Sequence, residues 1–158
     1  MANTQAMATS FMGELMTATH NFGASPTRAG ATADTFKAAL YLTSATVNAA
    51  TTAYSSTGEV TGTNYTAGGV TVTNATAPLA SNSSATAGVA YWTPSASITY
   101  TTVTLSTAFD AVLIYNSTQS DKAVSVHTFG SQTITAGTFT LTMPSNTTST
   151  ALLRLATT

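Results

Sequence analysis

The stretch DAVLIYNSTQSDKAVSVHTFGSQTITAGTFTLTMP, residues 110–144, decides the fold. It reads as three strands separated by two polar turns, and it holds the chain's densest run of apolar residues. Ala111 to Tyr115 is apolar on both parities, as a central strand covered on both faces must be. Val124, Val126 and Thr128 then alternate with Ala123, Ser125, His127 and Phe129, giving a strand with two unlike sides. In the third strand Phe139, Leu141 and Met143 point one way and Thr138, Thr140 and Thr142 the other. Pro144 has no N–H to donate and closes the strand. The expected nucleus is therefore an antiparallel sheet.

Composition points the same way. Charged residues make up only 6% of the 158 residues, against about 25% in ordinary soluble domains. Thr, Ser and Asn must supply the polar surface, and β-branched Thr suits a half-buried pleated face. The length fits one domain that buries about 68–70% of its unfolded surface. A net charge of −1 gives little repulsion between copies and suits a subunit of an assembly. Arg28, Lys37, Lys122 and Arg154 are too few and too scattered to track phosphates, so no nucleic-acid partner is expected. The absence of cysteine excludes disulfides and thiolate chemistry. No apolar run approaches the ~20 residues of a membrane span. MANTQAMATS lacks the basic and apolar regions of a signal peptide, so the expectation is a protein made in a cytoplasm, with no membrane partner.

In chain order, residues 1–8 read as a loose arm. Phe11, Leu15, Ala18 and Phe22 recur at i, i+4, i+7 and i+11, with Met12 and Met16 alongside, which predicts a short amphipathic helix. Ser10 is placed as its N-cap, Glu14 in its first turn and Gly23 at its C-terminal stop. A helix this short needs a surface to dock on, either the sheet's own core or another subunit. The expected organisation is an arm and helix over 1–23 and a single β-sandwich domain over 24–158. Residues 24–33, with Pro26 and Gly30, read as a linker, and Thr35–Leu42 as a strand.

From Thr43 to Gly69 periodicity lapses into a long loop, anchored by Tyr54 and Tyr65 with rings buried and hydroxyls wet. Val70–Thr73 is a short strand, 74–88 a Ser/Ala-rich excursion, and Tyr91–Pro94 the return. The apolar parity of Ser97–Leu105 slips midway, predicting a bulge near Thr101. Leu152, Leu153 and Leu155 suggest a last strand. TAGGVTVT at 66–73 and TAGTFTLT at 135–142 read as one turn device used twice. The fold class is mainly β, an antiparallel β-sandwich or jelly-roll-like domain with a short N-terminal helix.

The sequence offers no catalytic, cofactor-binding or metal-binding set. His20 reads as a surface group near the helix end and His127 as a packing histidine. No serine lies in a G-x-S-x-G elbow. Glu14, Asp34, Glu59, Asp110 and Asp121 are dispersed, without metal or paired-acid spacing. Gly68-Gly69 lacks the Lys-Ser/Thr of a phosphate loop. Asp121-Lys122 reads as a solvated hairpin tip. Sequons at Asn64, Asn74, Asn82, Asn116 and Asn146 are discounted in a chain so rich in Ser and Thr. The expectation is a protein that is not an enzyme and needs no cofactor.

The Phe11–Phe22 segment, DTFKAALYL, GEVTGTNYTAGG and AFDAVLIYNSTQSDKAVSVHTFGSQTITAGTFTLTMP together resemble a family of small tailed-bacteriophage virion structural proteins, of head-decoration (cement) or fibre type. The resemblance implies an antiparallel sandwich in the virion, bound to the major capsid protein or other virion proteins as a homo-oligomer, a trimer being favoured. On that expectation the contact residues are Phe11, Met12, Leu15 and Met16 of the helix and Tyr54 and Tyr65 of the loop. The alternative is a tail or head fibre component that sets exposed Tyr54, Tyr65, Tyr91 and Trp92 against host glycans.

Overall fold

The computed structural model describes residues 2–23, 32–74, 77–81 and 88–156. Most of the expected 24–33 linker and part of the 74–88 excursion lie outside the described residues. In order come β1 (Ala6–Met7), α1 (Thr9–Met16), β2 (Phe36–Leu42), β3 (Val70–Thr71), β4 (Leu79–Ser81), β5 (Val89–Trp92), β6 (Ile98–Asn116), β7 (Lys122–Leu141) and β8 (Leu153–Ala156). They form two antiparallel sheets, ordered β1-β7-β6-β2-β3 and β4-β5-β8. Both sheets contribute to one core, from Phe36 and Leu113 of the larger to Trp92 and Leu153 of the smaller. The chain is thus mainly β, with one short helix among the described residues, as the Thr-rich alternation predicts.

The long hairpin β6–β7 is its spine. Where three strands and two turns are expected over 110–144, only the turn at 117–121 exists. GSQTITAG is not a turn but the middle of β7, paired with β6 as far as Leu141. The reason is that β6 is itself longer than its apolar centre suggests. Ser97–Leu105 and Ala111–Tyr115 are one strand, so β7 has a partner throughout. The bulge predicted near Thr101 is present: the register shifts between Tyr100 and Val103, with Thr102 at φ +51. The two Thr-Ala-Gly echoes part company. At 66–69 the turn forms, closed by Gly69 N–H to the Thr66 carbonyl (2.9 Å), and launches β3. At 135–137 the same tripeptide is absorbed as an irregularity inside β7, with Ala136 at φ +46.

The arm is not loose. Ala6 and Met7 pair with Val126 and Ser125 of β7, Thr4 N–H donates to the Val47 carbonyl, and the Asn3 amide donates to the Leu42 carbonyl. α1 is shorter than its apolar stripe and ends at Met16. Its N-cap is Ala8, whose N–H donates to Val124 O (3.0 Å), so backbone pairing replaces the expected Ser10 cap. Its stop is Ala18 at φ +54: Thr19 N–H donates to Glu14 O and Ala18 N–H to Leu15 O, the double bond of a Schellman turn. Phe22 therefore reaches the core from an extended segment, and Gly23 caps nothing.

Candidate interaction surface

α1 sits where the two sheets share the core. Phe11 meets Phe22 at 5.8 Å between ring centroids, Phe22 stacks on Phe36 at 4.4 Å, and Trp92 of the smaller sheet closes on Phe22 at 4.8 Å. Phe11 is only 2% exposed, and burying such a ring stabilises the docked helix by roughly 2–3 kcal/mol. This aromatic chain sets which face of the helix turns outward.

A polar latch fixes the helix from behind. Glu14 accepts hydrogen bonds from Lys122 Nζ (2.6 Å) and from His20 Nε2 (2.7 Å). Burial alone would raise the Glu14 carboxyl, but the hydrogen bonds from Lys122 and His20 and the Lys122 charge outweigh it and hold the carboxyl below its ordinary value. His20 is buried, and its Nδ1 lies 2.9 Å from Asn116 Nδ2. Asn116 Oδ1 accepts from the backbone N–H groups of Thr118 and Gln119, so its amide nitrogen must face His20 and Asp34 as a donor. Nδ1 of His20 is then an acceptor and Nε2–H donates to Glu14, which assigns the neutral imidazole with the proton on Nε2. Asp34 collects Asn21 N–H, the Asn116 amide and the Gln119 amide. His20 is accordingly no surface residue, and Lys122 no free hairpin tip. Nothing in the spacing of Glu14, His20, Asp34 and Asn116 foretells the cluster, because the long hairpin brings them together.

In front of the latch, between α1 and the smaller sheet, lies a groove of about 70 Å³ whose walls present only apolar atoms. Phe11 and Leu15 line the helix side and Tyr91, Leu155 and Pro78 the sheet side. Four large apolar side chains stand exposed among the described residues, Met16 (89%), Leu79 (50%), Met12 (48%) and Leu155 (38%). Leu155 lines the groove, and Met12, Met16 and Leu79 are chain neighbours of its lining residues Phe11, Leu15 and Pro78. Surface of this kind marks an interaction site, and flexible methionine adapts to irregular partners. Of the expected contact residues, Met12 and Met16 are free to touch a partner, Leu15 is half-buried in the groove wall, and Phe11 belongs to the floor. Sequence reading missed Leu79 and Leu155. Their signal was an isolated leucine in a polar tract and a Leu-Arg-Leu alternation.

Tyr54 and Tyr65 stand apart from this groove, on the 43–69 loop. Their hydroxyls are not wet. Tyr54 donates to Glu59 Oε2 (2.5 Å), Tyr65 to Glu59 Oε1 (2.7 Å), and Gly68 N–H adds a third bond to the same buried carboxylate. Burial first, and then the Glu59 charge, raise both phenols well above their ordinary value. Their ring faces are stacked as well, Tyr54 on Tyr115 at 4.8 Å and Tyr65 on Tyr100 at 5.9 Å. Trp92 is 2% exposed. The aromatic platform expected for glycans is thus reduced to half-buried Tyr91. Tyr54 and Tyr65 instead tie the loop to the sheet.

Among the described residues, no three His, Asp or Glu side chains gather where a metal ion could bind, and no helix is long and apolar enough to cross a membrane. Set against known protein families, characterised proteins and solved structures, the chain matches none of them.

Proposed function

We propose that this chain is a non-enzymatic structural protein of a bacteriophage virion, a decoration protein that holds the head shell by docking the α1 face onto the major capsid protein. The observation that carries this reading is the all-apolar groove between α1 and the smaller sheet, lined by Leu155, with Met12 and Met16 exposed on the same helix, on a protein with only 6% charged residues. Such a face releases its water on contact and needs no chemistry. Repeated over many shell sites, even a modest interface supplies large total adhesion through multivalency. The resemblance of the 110–144 stretch to virion proteins supports the choice of partner.

The test is gold-labelled antibody on intact particles of a phage that carries this chain, viewed by electron microscopy. Label over the heads supports decoration. Label confined to the tail moves the protein to the fibre reading, and unlabelled particles overturn both. A Met12→Asp/Met16→Asp double variant should keep its fold and lose its hold on the heads.

A further inference from the structure

The larger sheet has one long unpaired border. β7 is flanked by β6 along its length but by β1 only at Ser125 and Val126. From Thr128 to Leu141, among the described residues, no second strand joins it. The apolar layer of the sheet stops half-covered at this border. Leu141, Phe139 and Ile134 stand directly opposite Ile98, Tyr100 and Leu105, which are buried, yet remain half-buried themselves. The opposite face carries exposed Thr133, Thr138 and Thr140. No Lys, Arg, Asp or Glu lies between Lys122 and Arg154, so the border lacks the charges that usually protect a free edge. Its protection is the irregular register, which shifts between Thr128 and Gln132, between Gln132 and Ile134, and on both sides of Gly137.

We propose that this edge is a self-association site, at which two copies pair β7 with β7 antiparallel about a twofold axis. The row of unpaired N–H and C=O groups on a free edge is a template for another extended backbone. The other border strands, β1, β3, β4 and β8, are 2, 2, 3 and 4 residues long. An edge spanning residues 128–141, ~45 Å at the usual rise, finds its match in length on a second copy. Isologous pairing sets threonines against threonines and continues the half-covered row Phe129, Ile134, Phe139 and Leu141 into its twin. With no Lys, Arg, Asp or Glu between residues 128 and 141 of either copy, no like-charge repulsion opposes it. The product is a twofold dimer, not the trimer implied by the resemblance, and it stands whether or not the capsid reading holds.

Sedimentation of the full chain over a wide concentration range tests this. The expected result is a reversible shift from 16.0 kDa to twice that mass. A Thr133→Lys/Thr138→Lys variant, altered only at exposed positions, should melt like the wild type and raise the dimer dissociation constant by about tenfold or more. Amides over 128–141 should exchange faster on dilution in the wild type only, while the Met12→Asp/Met16→Asp variant should still dimerise. A wild type that stays monomeric, one that forms trimers, or a dimer indifferent to the lysines overturns the proposal.

Discussion

Ala18 shows how one residue ends α1 against its own preference. Alanine is the best helix former, so the stripe Phe11–Leu15–Ala18–Phe22 invites a longer helix. The chain instead turns there at φ +54, a conformation that glycine adopts without strain. Ala18→Gly should therefore stabilise the fold by about 0.5–1 kcal/mol, read as a higher urea midpoint with unchanged slope. A lower midpoint would mean that the methyl group's packing outweighs the strain. Gly69 is the opposite case, and it was legible in the sequence as the turn of TAGGVTVT. At φ +71, an added Cβ would sit 1.7 Å from the Ala38 carbonyl oxygen. Gly69→Ala should cost roughly 3–5 kcal/mol and displace β3 from β2. Glu59 was legible only as a lone acid in a loop, since neither tyrosine that it accepts from is marked by spacing. Glu59→Gln swaps one acceptor oxygen for an amide facing a phenol or an N–H, and should cost about 1–3 kcal/mol in the same assay.

At the scale of elements, strands were easier to read than their lengths. Ala111–Tyr115 stands out as an unbroken apolar run and Phe139–Leu141 by alternation, but the Thr-rich links between such segments are neutral in periodicity. Whether they turn or continue is decided by the partner across the ladder, which is why GSQTITAG is strand. The helix was legible in position and apolar face, not in its caps. The Ser10 hydroxyl oxygen is buried with no hydrogen bond, because Ala8 is held by β7 and leaves no cap to fill. The latch behind α1 is an element-scale device, and Asn116 is its hinge. Asn116→Ala removes the donor that Asp34 and His20 share and the acceptor for Thr118 and Gln119. The expected loss is about 3 kcal/mol, with faster hydrogen exchange in α1 than in β2. Equal acceleration in both elements would show that the latch does not hold the helix selectively.

The whole molecule joins these elements by an order that no local pattern contains. Alternation tells that Phe36–Leu42 is a strand, but not that β2 lies between β6 and β3, nor that β8 crosses to β5. That order nevertheless sets the protein's response to pH, because it buries titratable groups far apart in sequence. His127, on β7, is pulled down to about 4 by burial, against about 6.5 in the unfolded chain. Its contribution is complete above pH ~6.5 and is lost as pH falls towards 4, with an upper limit of about 3 kcal/mol. On the alkaline side, burial, opposed by the bond to the Ser55 backbone and aided by the Glu59 charge, leaves the Tyr41 phenol pushed up to about 12. Tyr65 and Tyr100 are raised further, again chiefly by burial. Unfolded tyrosines ionise near pH 10, so this stabilisation is intact below ~10 and disappears as pH climbs through the folded values. Urea midpoints measured across pH should thus form a plateau from about 7 to 9 with two falling limbs. His127→Gln should flatten the acid limb between 6.5 and 4 and leave the alkaline limb in place. An unchanged acid limb in that variant would overturn the assignment of that limb to His127.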